Sequence, residues 1–138
     1  MRNRPPRAWA AALAASAGLG FGIPGLCGLR YFAQTGDVWT FGGFPTYGDG
    51  PLEAVGIETS LPLLAGFVAV CGAEVGLALA LWRNWPRSTT LSHGLLPVEV
   101  AFWTGFALPF GFVFGISRTA LLLAAPKPSG PRHRNKCS

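Results

Sequence analysis

The sequence predicts an all-α fold, an integral membrane bundle of four helices with both chain ends on the cytoplasmic side. Three observations predict it. Half of the 138 residues are apolar and only 12% are charged, against about 25% in typical soluble domains. Two stretches, residues 8–29 and 61–82, are apolar over the roughly 20 residues that a bilayer core requires. The basic residues gather in short clusters beside apolar segments, the footprint of membrane topology. That placement explains the net charge of +5 without nucleic acid, for which no basic helix interleaved with aromatics is present.

A single transmembrane domain, 1–126, accounts for nearly the whole chain. Residues 1–7, MRNRPPR, are basic, and Pro5-Pro6 argues against a regular helix there. The first span, 8–29, carries no charge between Arg7 and Arg30. Its basic start and the small triplet Ala15-Ser16-Ala17 also fit a cleaved signal peptide, but the apolar run continues for another dozen residues. Residues 30–60 form an outer loop rich in glycine, aromatics and turn signals. It holds Asp37, Asp49, Glu53 and Glu58, with a short helix expected near 51–55. Its aromatics, Trp39, Phe41, Phe44 and Tyr47, can fold onto the membrane interface or onto a partner. In the second span, 61–82, Thr59 or Ser60 suits the cap and Pro62 the first turn. Trp82 and Trp85 are placed as interfacial anchors beside Arg83 and Arg87. The segment 127–138 reads as a disordered basic cytoplasmic tail.

The stretch 88–126 is too long for one span and barely long enough for two. Orientation favours two, at about 88–108 and 110–126. Three spans would force Lys127, Arg132, Arg134 and Lys136 across the membrane, against the positive-inside rule; four keep them inside with Arg2, Arg4, Arg7, Arg83 and Arg87. Pro109-Phe110-Gly111 supplies a breaker near the middle. Depth points the same way. At 1.5 Å per residue, Glu74, Glu99 and Arg118 lie roughly 13, 18 and 12 Å from the inner surface in the two-helix arrangement. One continuous helix would hold Glu99 and Arg118 about 28 Å apart. A lone charge in hydrocarbon costs on the order of 2.5–3.5 kcal/mol on insertion scales, so convergence is favoured.

Small residues suggest where helices meet. The first span repeats Ala10, Ala14, Gly18 and Gly22; the second has Gly72 and Gly76 opposite Glu74; the fourth has Gly111 and Gly115 on the side of Arg118. Such rows permit close interhelical packing.

The blocks TGDVWTFGGFPTYGDGPLE and PVEVAFWTGFALPFGFVFGISRTALLL resemble small four-span membrane proteins of actinobacteria. The resemblance runs from about the first span to Ala125. It implies a bacterial plasma membrane and this topology. It implies no activity, and no catalytic residue is carried over.

No motif points to an enzyme. Gly20-Phe21-Gly22-Ile23-Pro24-Gly25 matches GxGxxG but lies within a hydrophobic span, without the strand that a dinucleotide site needs. His93 and His133 stand alone, and Cys27, Cys71 and Cys137 form no CxxC, so neither a metal nor a cofactor is expected. The acids of the outer loop do not match a calcium loop. The trio Glu74, Glu99 and Arg118 is the sharpest feature. It reads first as an ion-pair staple in a structural or accessory protein that packs with itself or a larger membrane complex. Two carboxylates against one guanidinium leave a spare negative charge, so the same trio also fits a subunit of a proton-coupled carrier of small solutes.

Overall fold

The structure, a computed structural model, describes residues 5–41, 43–46 and 50–125. The basic tail, Arg2, Arg4, Tyr47 and Asp49 lie outside the described residues. Among the described residues the fold is helical apart from one pair of two-residue strands. Four long helices, α1 (Pro5–Thr35), α3 (Leu61–Trp82), α4 (Ser88–Gly105) and α5 (Pro109–Ala124), form the body. A one-turn helix, α2 (Pro51–Ala54), lies in the connection between the first two.

Neighbouring helices run antiparallel. Gly18 and Gly22 of α1 meet Val75 and Cys71 of α3, while Gly25 meets Phe67. Phe67 in turn packs on Phe102 and Phe106, at the far end of α4 from its start. Trp103 of α4 lies on Gly111 and Gly115 of α5, and Phe114 of α5 meets Phe21 of α1 edge-on. The ring closes in the order α1, α3, α4, α5, with no comparable contact across either diagonal among the described residues.

Two apolar clusters fill the ends. At the end holding the starts of α1 and α4, Ala10, Ala11, Leu77, Leu81 and Leu122 pack together. At the other, Leu64, Phe67, Cys71 and Phe106 form the core, with Phe32, Leu52 and Phe102 against it. In the connection that follows α1, Gly50 and Leu52 lie against this second end. Thr40–Phe41 pairs antiparallel with Phe44–Pro45, and Leu52 sits on Gly105. Thr59 does not cap α3; its hydroxyl donates to Glu53 Oε1 at 2.5 Å instead, and Ser60 occupies the cap position without a side-chain bond.

The sequence misjudges the limits of the first helix, which starts at Pro5 rather than about residue 8. The first turn of a helix has no intrahelical partner for its N–H groups, so two leading prolines cost nothing there. It also runs on to Thr35, past Arg30, where the sequence places the outer loop.

Between α4 and α5 the chain reverses over three residues, 106–108. Leu108 N–H donates to Trp103 O at 2.7 Å and Ala107 N–H to Thr104 O at 3.2 Å, a Schellman closure with Ala107 left-handed at φ 53°. Pro109 then starts α5, where its ring suits the first turn. The α3–α4 turn is built the same way: Trp85 N–H bonds Ala80 O, Asn84 N–H bonds Leu81 O, and Asn84 is the left-handed residue. Asparagine visits that region readily; alanine does so at a cost of roughly 1–2 kcal/mol.

The glycines divide into two groups. A Cβ at Gly18 would come within 2.8 Å of the Cys71 carbonyl oxygen and of Val75, and one at Gly115 within 2.6 Å of the Trp103 ring. Gly72 and Gly76 are a correction: a Cβ at either would meet nothing within 4 Å. The buried face of α3 follows Leu64, Phe67, Cys71, Glu74, Leu77 and Leu81, which leaves those two glycines on the outside.

Gly18→Ala is expected to lower stability by about 1–3 kcal/mol through overpacking. Gly72→Ala should instead be neutral or stabilising by up to ~1 kcal/mol, since it adds helix propensity in open space. Thermal melts in detergent compare the two. In the same assay Ala107→Gly should raise the melting temperature by relieving the left-handed alanine, with an effect of about 1 kcal/mol.

Candidate functional site

Each of α3, α4 and α5 contributes one charged side chain to a single buried cluster. Glu74, Glu99 and Arg118 are 2%, 0% and 1% exposed, which removes all three from any aqueous surface. Arg118 Nη2 donates to Glu99 Oε2 at 2.5 Å and Nη1 to Glu99 Oε1 at 3.2 Å. This is the fork-on-fork pairing that planar guanidinium and carboxylate groups favour. Nη1 also donates to Glu74 Oε1 at 3.3 Å. Arg118 Nε is the one buried side-chain nitrogen or oxygen without a partner among the described residues.

The helices bring these groups together by register. On α3, Glu74 lies between Cys71 of one apolar cluster and Leu77 of the other; on α4, Glu99 lies between Leu95 and Phe102. The charges therefore form a thin polar layer between two apolar ends. Arg118 belongs to α5 and Glu74 to α3, helices on opposite corners of the ring, so the guanidinium spans the diagonal that the backbones leave open. At this level α1 offers only small residues: Ala14 and Ala17 are buried at 0% and 1% exposure, beside Gly18.

The glycines of α5 serve the cluster indirectly. Trp103 lies on Gly111 and Gly115, one turn before Arg118, and holds α4 and α5 close enough for the bidentate pair. Sequence reasoning finds the glycine groove but not its occupant, because either neighbouring helix could have supplied a large ring. It also misses a second polar tie. Arg7, 7% exposed, donates from Nη2 to Thr89 Oγ1 at 2.7 Å and to Ser88 Oγ at 3.5 Å, joining the starts of α1 and α4. Ser88 Oγ passes its own hydrogen to Trp85 O at 2.7 Å. A basic residue and a serine–threonine pair, each just outside an apolar run, were the available signal.

No known protein family, curated protein or solved structure matches this chain. The chemistry must be read from the site alone.

That chemistry is limited. Among the described residues no group of three or more His, Cys, Asp or Glu side chains is placed to hold a metal ion. His93 is exposed, and its Nδ1–H donates to Thr89 O at 2.7 Å within its own helix. Cys27 and Cys71 are free thiols, the first exposed and the second buried against Gly22. The GxGxxG match at Gly20–Gly25 lies wholly inside α1. What the cluster can do is bind three helices, with two carboxyl groups sharing one guanidinium.

Removing one member of a buried pair costs about 3–5 kcal/mol, because its partner remains as an uncompensated buried charge. Arg118→Leu is therefore expected to be the most destabilising single change, followed by Glu99→Gln, then Glu74→Gln, which loses only the longest bond. Replacing all three with apolar residues together should recover most of the loss. Melting temperatures of the four variants in one detergent check the order.

Proposed function

We propose that the chain is a small four-span protein of a bacterial plasma membrane, with both ends cytoplasmic. Its role is structural or accessory, packing with further copies or within a larger membrane complex, and the glutamate–arginine cluster is its internal staple. The observation that carries this reading is the inversion of polarity. The charged side chains inside the apolar helices, Glu74, Glu99 and Arg118, are enclosed, while large apolar ones such as Ile23, Leu79, Phe110, Val113 and Leu123 are exposed. Water disfavours so extensive an apolar exterior, and lipid accepts it.

Helix composition supports the reading at a coarser level. Two helices, α1 and α3, are long and apolar enough to cross a membrane, and only 33% of the most apolar window in each is buried inside the protein. A core helix of a soluble protein would bury most of that window. Helix α5 is apolar but has 16 residues and α4 has 18, so as spans they would thin the bilayer locally or lean on their neighbours.

Charge sorting supports the orientation. Arg7, Arg83 and Arg87 lie at the end where the chain enters α1 and leaves α5, next to the exposed Trp9, Trp82 and Trp85. Asp37, Glu53 and Glu58 lie in the connection at the opposite end. This is the pattern of a cytoplasmic basic face and an outer acidic one, with an aromatic belt at the inner interface.

The enclosure of the cluster favours a staple over a pathway. The carrier alternative needs water to reach Glu74 or Glu99, and both are sealed in the resting fold.

A fluorescent-protein fusion after Ser138 is expected to glow, and an alkaline-phosphatase fusion at the same position to be silent. The reverse result would overturn the topology. In reconstituted vesicles under a proton gradient, the staple reading expects no solute flux and no change on Glu74→Gln. Flux that the substitution abolishes would replace it with the carrier reading.

A further inference from the structure

The basic end of the bundle carries a cavity that the staple does not use. It has a volume of about 550 Å³ and is lined along one side by Gly76, Leu79 and Ala80 of α3, and at its rim by Arg83, Asn84 and Trp85. The two halves differ in chemistry. The lower half is apolar and open at its glycines, since nothing lies within 4 Å of a Cβ at Gly76 or, one turn further, at Gly72. The rim presents donors. Arg83 is exposed and forms no ion pair or side-chain hydrogen bond among the described residues, and Trp85 is exposed beside it. Asn84, held left-handed by the Schellman turn, also lines a second cavity of about 180 Å³ with Arg7, Leu81 and Trp82. Arg7 is bonded to Thr89 and Ser88 only; no carboxylate compensates it among the described residues.

We propose that this cavity is a binding site for a phospholipid with an anionic headgroup. One acyl chain lies along the groove at Gly72, Gly76 and Ala80, and the phosphate meets Arg83 at the rim, with the Trp85 indole at headgroup level. Arg7, in the adjoining cavity across Asn84, adds positive field and biases the site against zwitterionic lipids. The inference rests on the membrane reading above. Charge complementarity names the occupant: a second copy of the chain would bring its own Arg83 and Arg7 to the same basic rim, whereas an anionic lipid neutralises it.

The test uses the full chain in mild detergent, offered equal amounts of phosphatidylglycerol and phosphatidylcholine and weighed by native mass spectrometry. The wild type should retain phosphatidylglycerol in preference, and Arg83→Gln should reduce that preference about fivefold, the worth of one basic residue at a membrane surface. Gly76→Leu should remove bound lipid of both kinds without lowering the melting temperature, because the new side chain enters open space. An undiminished preference in Arg83→Gln would overturn the proposal. So would displacement of the lipid by millimolar inorganic phosphate, which would mark a bare anion site, or a lipid-free dimer lost in Gly76→Leu, which would mark a second copy as the occupant. Alkaline extraction of cell membranes separates the two levels: release of the chain defeats the membrane reading itself, while retention with no lipid preference defeats only the site.

Discussion

One guanidinium determines how α3, α4 and α5 sit together. Arg118 cannot be left alone in an apolar interior, and neither can Glu74 or Glu99, so the only low-energy arrangement brings the three helices to a common level. Apolar packing alone would not define that level. Leucine and phenylalanine rows tolerate a slide of one turn with modest repacking, whereas a bidentate pair tolerates almost none. The ion cluster thus gives register, and the apolar clusters on either side give area.

The remaining helix is held by a different principle. Helix α1 brings no charge to the middle of the bundle and approaches α3 through Gly18, Gly22 and Gly25, where backbone and side chain meet closely. Among the described residues its one polar tie to another helix is at the end, Arg7 on Ser88 and Thr89. Three helices are therefore fixed by electrostatics and one by shape. Pro24 inside α1 and Pro97 inside α4 each remove one backbone hydrogen bond, a loss that packed neighbouring helices accommodate.

Several of these features are legible in the sequence, for identifiable reasons. An ionisable residue inside an apolar run is a strong signal, so Glu74, Glu99 and Arg118 stand out from their neighbours by residue type alone. The helical character of the apolar stretches is equally plain. Glycine is a weaker guide. It tells where close approach is allowed, not where it happens, which is why Gly18 and Gly22 meet a neighbour while Gly72 and Gly76 face outward. The reversal at 106–108 is hard to place because its left-handed residue is Ala107, and nothing in the sequence marks an alanine for that role. Pro5-Pro6 misleads for the opposite reason: proline is a helix breaker in the interior but harmless in a first turn. The Trp103 ring on the α5 glycines is a tertiary choice among several large side chains, and local pattern does not make it.

If the chain spans the membrane as proposed, the division of charge among α3, α4 and α5 also bears on how it is made. On that reading helix α1 would leave the insertion machinery for lipid as soon as it is synthesised, since nothing in its middle requires a partner. The other three would each carry a residue that lipid rejects until the last of them, with Arg118, has emerged from the ribosome. They would then wait beside one another and be released as a hairpin-and-a-half, which would make the final helix the step that commits the proposed bundle to the bilayer.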